Sequence, residues 1–288
     1  IILPRIKLMK IIDSHQHFWD PSRGDYHWMP KDNPILNRKY EVKDLSQVSE
    51  SIDLHKTILV QAAATNAETE YMLNIAENSD LVCGVVGWVN FEDKNQLEQL
   101  KIFAKHPKFL GVRPMIQDIP DENWVLNKNF DIFFKSIIDL DLSFDALGFP
   151  IHLENFYTIA SRYPSLRFII DHLMKPKICN NNQEEFIHWQ KGINKLSKLE
   201  NVYCKFSGMV TEACEKWTEQ DLKPYVDEIL NLFTDKKIMW GSDWPVCNLR
   251  TNYLGWYNSA TNLTKELSLA ERQNIFYNNA KRFYKLKI

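Results

Sequence analysis

The sequence predicts an α/β protein folded as a single (β/α)8 TIM barrel, and three observations carry that prediction. Eight short β-rich runs recur along the chain of 288 residues. From His17, at the end of the first run, to Asp243, at the end of the last, lie 226 residues in seven intervals, about 32 per step, the length of one strand–helix–strand unit. The intervals carry helix-periodic segments, and eight alternating units favour a closed barrel over an open doubly wound sheet. No G-x-G-x-x-G follows the first run, so the main signature of a dinucleotide-binding sheet is missing.

Taken in order, the first run is residues 10–17 (KIIDSHQH). Residues 20–40, rich in proline and aromatics, then exceed what one helix needs and read as a long lid loop over the barrel mouth. The second run, residues 56–62, is followed by Thr65 and Glu68 at capping-box spacing, and Tyr71, Met72, Ile75 and Ala76 fall on one helical face. Further runs are residues 82–90, 109–115, 142–147 and 167–172. Between the last two, residues 152–162 place Leu153, Phe156, Tyr157 and Ala160 at helical spacing, and Pro164 ends that helix. The last two runs are residues 202–207 and 238–243. A closing helical stripe carries Ile275, Phe276, Ala280, Phe283 and Tyr284. Residues 1–8 precede Met9 and read as a leader or appended segment, leaving 9–288 as the barrel domain.

Composition excludes several function classes. Lys and Arg number 35 against 37 Asp and Glu, a net charge of −2, which gives no electrostatic footprint for nucleic acid or an anionic membrane. The longest apolar run, residues 81–89, is far short of the ~20 residues of a membrane span. Five cysteines, an odd number with no C-x-x-C, argue against a disulfide framework or a zinc knuckle. A reducing cytoplasm is the expected location.

In a (β/α)8 barrel the chemistry sits where strands end and βα loops begin. The first run ends in His15 and His17, whose spacing of two puts both rings on one side of the strand, with Asp13 one step deeper. Gln61 ends the second run, Arg113 lies on the fourth and Asp145 on the fifth. Asp171 and His172 end the sixth, Lys205 lies on the seventh, and Asp243-Trp244-Pro245 follows the eighth. H-x-H alone is a weak signal. Three separate coincidences, H-x-H, His172 and Asp243, point to one shared site. Lys205 and Asp145 are candidates for an internal pair, and Asp13 for a supporting position. Trp19, Trp28, Trp88 and Trp244, at strand ends or on the lid, offer flat faces to a ligand.

The motifs IIDSHQHFWDPSRGDYHWM, ILVQAAAT, GVVGWVNFED, GVRPMIQDIPDENWVL, IDHLMKPKI, CKFSGMVTEA and MWGSDWPV together resemble the lactonase branch of the amidohydrolase superfamily. That branch holds L-fuconolactone and L-rhamnonolactone hydrolases and their relative 2-pyrone-4,6-dicarboxylate lactonase. The resemblance implies hydrolysis of a small sugar-acid lactone at His15, His17, His172 and Asp243, with Asp243 as general base. Arg113, Gln61, Asp145, Asn90, Trp28, Trp88 and Trp244 are the candidates for reading the substrate.

Two departures from the wider superfamily bear on metal. Arg113 stands on the strand where two-metal members carry a bridging Lys or Glu, and a guanidinium has no lone pair to donate. The fifth run ends without a histidine; His152 comes several residues later. A binuclear centre is therefore not expected. His15, His17 and Asp243 suit one divalent ion, zinc above all, with His172 either as a fourth ligand or as a partner beside the ligands. A metal-free site stays open as the alternative, and no organic cofactor is expected. Two rival functions remain at this level: a one-metal decarboxylase of the same superfamily acting on an unsaturated or aromatic acid, and a binding protein on a barrel that has lost catalysis.

Overall fold

The structure, a computed structural model, describes residues 9–180 and 182–288, so the expected leader lies outside it. Eight strands form the barrel: β1 (Ile11–Gln16), β2 (Leu54–Val60), β3 (Val82–Gly87), β4 (Phe109–Val112), β5 (Ser143–Ala146), β6 (Arg167–Ile170), β7 (Val202–Phe206) and β8 (Ile238–Trp240). They pair in sequence order, and every pair is parallel. The seam closes beyond the strand ends. Gln16 bridges Trp244 in parallel, Asp243 N–H donates to the His15 carbonyl at 2.8 Å, and His17 N–H donates to the Trp244 carbonyl at 2.7 Å. The backbone that closes the ring thus carries four of the candidate residues, His15, His17, Asp243 and Trp244.

Each expected run overlaps a strand, but β2 begins two residues before its run and every strand stops before its run ends. β8 ends at Trp240 and β6 at Ile170. The chain then leaves the ladder to aim side chains inward. Asp243 has φ 55, and His172, Leu173, Met174 and Lys175 have φ 52, 53, 62 and 48.

Helices fill the intervals: α1 (Val42–Val48), α2 (Asn66–Glu77), α3 (Gln96–Ala104), α4 (Asp131–Asp139), α5 (Leu153–Arg162), α6 (Gln183–Ser197), α7 (Met209–Glu212), α8 (Glu219–Phe233), α9 (Tyr253–Leu263), α10 (Leu269–Gln273) and α11 (Asn279–Phe283). The box expected at α2 is only half made. Thr65 Oγ1 accepts from Glu68 N–H at 3.1 Å, but the Glu68 carboxylate turns to the N–H groups of Ala62 and Ala63. A π turn (Asn274–Asn278) separates α10 from α11. Beyond it Phe283, Tyr284 and Leu286 pack on Ile12, Ile169 and Met239 and cover the end of the barrel where the strands begin.

One expectation is corrected. Cys179 and Cys214 form a disulfide between the segment after β6 and the segment after α7. They are 35 residues apart and share no motif; they meet because β6 and β7 are neighbours. Disulfides persist in oxidising compartments, so the cysteine pattern no longer supports a reducing cytoplasm. Among the described residues no helix is long and apolar enough to cross a membrane.

Candidate active site

Close packing at two glycines makes the site possible. A Cβ on Gly241 would lie 2.7 Å from the His15 Cβ, and one on Gly208 would lie 2.4 Å from His172 Nδ1. Gly208 also has φ +63, a conformation costly to residues with a Cβ. The left-handed turn of residues 172–175 contains no glycine, at a cost of roughly 1–2 kcal/mol per residue. It is held by its surroundings. Trp189 Nε1 donates to the Leu173 carbonyl at 2.6 Å, Lys175 N–H to the His172 carbonyl at 2.7 Å, and His172 Nδ1 lies 2.9 Å from Ser207 Oγ.

Three imidazoles converge on one oxygen. Asp243 Oδ1 is 3.3 Å from His17 Nε2, 3.7 Å from His15 Nε2 and 3.8 Å from His172 Nε2. All four side chains are buried. Burial would raise the Asp243 carboxyl, but His172, the His17 hydrogen bond and His15 outweigh it and hold it below the usual range. Burial pushes His172 down to about 4. Burial, with Lys205 beside it, puts His15 well below its ordinary value. Those two rings are neutral near pH 7.

The structure also tests whether this set suits a metal. His17 Nδ1 lies 2.8 Å from the Val60 carbonyl, which can only accept, so Nδ1 carries the proton. In the neutral ring the Nε2 lone pair then faces the Asp243 carboxylate, an arrangement that asks for a proton or a cation in between. Zinc bonds of ~2.0–2.1 Å in a tetrahedron separate ligand atoms by about 3.4 Å, close to the spacings around Asp243 Oδ1. His15, His17 and Asp243 therefore fit a single divalent ion, as does a neighbouring set of His15, Asp171 and His172.

Arg113 and Lys205 brace the centre from below. Arg113 Nη1 is 3.4 Å from His15 Nε2 and 3.2 Å from Asp171 Oδ2. Lys205 Nζ is 3.2 Å from His15 Nδ1, 3.1 Å from Asp171 and 2.6 Å from Asp145. Asp13, which burial raises to about 6, accepts from the N–H groups of Ser242 and His15 and from Tyr253. It ties β1 to the Asp243 loop.

A recess of about 180 Å³ opens above these groups, with His17, Trp19, Trp28, Arg113, His172 and Asp243 in its wall. His15 lies directly beneath it. The other candidates sit elsewhere. Gln61 Nε2 donates to the Arg113 carbonyl at 2.6 Å and positions that residue. Asp145 is buried with Lys205, Ser143 and Tyr284. Trp244 is buried against Phe18 and Tyr40. Trp88 and Asn90 line a separate cleft next to the recess. Lys175, Gln117 and Thr211 reach the recess and went unnoticed in the sequence. Lys175 comes in only through the left-handed turn, which leaves no mark in a glycine-free stretch.

Comparison with known proteins agrees with this geometry. A family model described as Amidohydrolase matches residues 12–286. The chain is 33% identical to an L-fucono-1,5-lactonase of Burkholderia ambifaria, covering 96% of this chain and 95% of that protein. It is 29% identical to an L-fucono-1,5-lactonase of Burkholderia multivorans, with 96% of each covered. A crystal structure of an amidohydrolase from Burkholderia multivorans with bound zinc superposes with a TM-score of 0.90 at 30% identity, covering 96% of this chain and 99% of that one.

Proposed function

Because the chain belongs to the amidohydrolase family, we propose that it hydrolyses a sugar-acid lactone, such as an L-fucono- or L-rhamnono-lactone, by attack of water on the ester carbonyl. The observation that carries this reading is the convergence of His15, His17 and His172 on one buried oxygen of Asp243, beneath a recess that Arg113 also lines. A nucleophile, a base and an electrostatic clamp for an oxyanion are the parts ester hydrolysis needs.

Asp243 is ionised and accepts the proton of the attacking water. Its low proton affinity makes it a weak base towards free water. The water becomes strongly acidic as its oxygen bonds to the carbonyl carbon, so transfer to Asp243 keeps pace with attack. His17 Nε2 and His172 Nε2 flank the carboxylate at 3.3 and 3.8 Å. Arg113 lies within reach of the carbonyl oxygen as negative charge grows there; one well-placed donor is worth roughly 3–4 kcal/mol. The proton collected by Asp243 then passes to the departing ring oxygen, which becomes the hydroxyl of the product. A divalent ion held by His15, His17 and Asp243, with His172 beside it, would supply Lewis-acid polarisation of the carbonyl. Trp28 at the rim of the recess, from the expected lid segment, offers an indole face to the sugar.

The test is acid release from a panel of aldonolactones at constant pH, repeated after chelation and after zinc is restored. Opening of a deoxyhexono- or hexonolactone is expected. No acid from any lactone, with carbon dioxide released from an aromatic acid, would replace this reading by the decarboxylase.

A further inference from the structure

The recess that holds Asp243 measures about 180 Å³, below the ~300–1,000 Å³ typical of small-molecule sites. Beside it lies a cleft of about 780 Å³. The two adjoin. Trp28 and Met115 line both. Along the chain, Ala62 and Arg113 face the recess, while their successors Ala63 and Pro114 face the cleft. Trp28 and Met115 therefore form the wall shared by the recess that holds Asp243 and the larger space.

The cleft has a definite chemical character. Trp88 and Trp124 contribute indoles, and Asn90, Glu92 and Asp118 contribute hydrogen-bond acceptors. No Lys or Arg is among its lining residues, whereas Arg113 and Lys175 line the recess. The walls are set in advance. Trp124 Nε1 donates to Glu92 at 2.9 Å, and its ring packs on Phe130 with centroids 4.5 Å apart. Trp28 Nε1 donates to the Ala62 carbonyl at 2.6 Å. Thr69 Oγ1 bonds both the N–H and the carbonyl of Trp88 and holds it out of the recess. Flat apolar faces beside carboxylate and amide oxygens suit the C–H face and the hydroxyls of a neutral sugar. An anionic group would meet the carboxylates of Asp25, Glu92 and Asp118, with His27 as the one lining side chain that can become cationic.

We propose that this cleft is a second sugar subsite, and that the preferred substrate is the lactone of a glycosylated aldonic acid. The ester ring sits in the recess, and the neutral glycosyl unit lies against Trp88 and Trp124. This rests on the lactonase reading and narrows it. The reaction that supplies such a substrate is oxidation at the anomeric carbon of a reducing disaccharide.

The test compares D-glucono-1,5-lactone with the lactones of cellobionic, lactobionic and melibionic acids, which carry a hexosyl unit on the same ring. At least one glycosylated lactone is expected to exceed the parent about tenfold in kcat/KM, through a lower KM. Trp88→Ala and the milder Asp118→Asn are expected to cut that ratio severalfold or more. Glucono-lactone turnover with no glycosylated lactone above it, or a ratio that neither variant changes, overturns the subsite and leaves the lactonase reading standing. If none of these gluco-configured lactones is opened but an L-fucono- or L-rhamnono-lactone is, the lactonase reading stands; if neither kind is opened, it falls. Calorimetry with cellobionate, lactobionate and melibionate against gluconate then decides the cleft. Tighter binding of a disaccharide acid that Asp118→Asn weakens supports it, and no preference overturns it.

Discussion

Two groups of buried ionisable side chains meet at His15, and their contact lengths separate their roles. In the lower group Lys205 lies 2.6 Å from Asp145 and 3.1 Å from Asp171, Arg113 lies 3.2 Å from Asp171, and Tyr284 donates to Asp145 at 2.7 Å. Two cations face two carboxylates at bonding distance, and Lys205 and Arg113 hold the Asp171 carboxyl well below its usual range against the upward push of burial. In the upper group the spacings around Asp243 Oδ1 are 3.3–3.8 Å, and His15 and His172 are neutral rings. The lower group is paired charge against charge and acts as a strut. The upper group keeps one negative charge and unfilled space, which is what a water, an oxyanion or a metal ion requires. Equal burial therefore says little about role; the bonds left unmade say more.

The largest effect is expected from breaking the upper group. Asp243→Asn keeps the shape but removes the base and the charge. Lactone turnover should fall by about 10³-fold or more, within the ~10²–10⁴ range of general-base catalysis, while the circular dichroism spectrum and Tm stay near those of the parent. A variant with most of its turnover would take Asp243 out of the reaction.

Breaking the lower group should do the reverse. Lys205→Met strips Asp145 and Asp171 of their nearest cation in the dry interior, and removing one partner of a buried pair costs ~3–5 kcal/mol. Urea denaturation should show a loss of that order. A Lys205→Met protein as stable as the parent would mean that the strut carries no load.

How far these groups could be read from sequence differs in the same way. The H-x-H of β1, His172 and Asp243 stand at strand ends, so barrel topology alone brings them together. The Lys205–Asp145 pair was legible as a pairing of opposite charges on β7 and β5. Gln61 and Trp244 stand at equivalent ends, yet one clasps the Arg113 backbone and the other packs inside the wall. Side-chain direction past a strand end depends on turns such as residues 172–175, which have no glycine signature. Trp88 follows β3 directly and still misses the recess, because Thr69 on α2 captures its backbone. The Cys179–Cys214 bond joins two loops of free length, where no periodicity operates.

Glu68 sharpens the contrast as a buried carboxyl outside both groups. Burial raises it to about 8, although the backbone N–H groups of Ala63 and Ala62 act against that. Its folded value lies above the unfolded one, so its contribution to stability is complete below about pH 4.5 and is lost as pH rises through 8. The unfolding free energy from urea denaturation should fall over that window, by no more than about 1.4 kcal/mol per pH unit from this single group. Glu68→Gln should flatten the slope, and an unchanged slope would assign it to other groups.

The smallest effect tests the premise that contact length has meaning only with burial. Lys223 and Asp227, one turn apart on α8, meet at 2.7 Å, nearly the length of the Lys205–Asp145 contact, but both side chains are more than half exposed. Water already solvates each charge before folding and after it, so the pair gains little Coulomb energy and loses side-chain freedom. Exposed i,i+4 pairs are worth ~0.3–0.5 kcal/mol. Asp227→Asn should therefore shift the urea midpoint by about a tenth of the change caused by Lys205→Met, and added salt should shrink the difference further. A loss from Asp227→Asn comparable to that from Lys205→Met would mean that bond length alone sets the energy, and the distinction between strut and site would lose its physical basis.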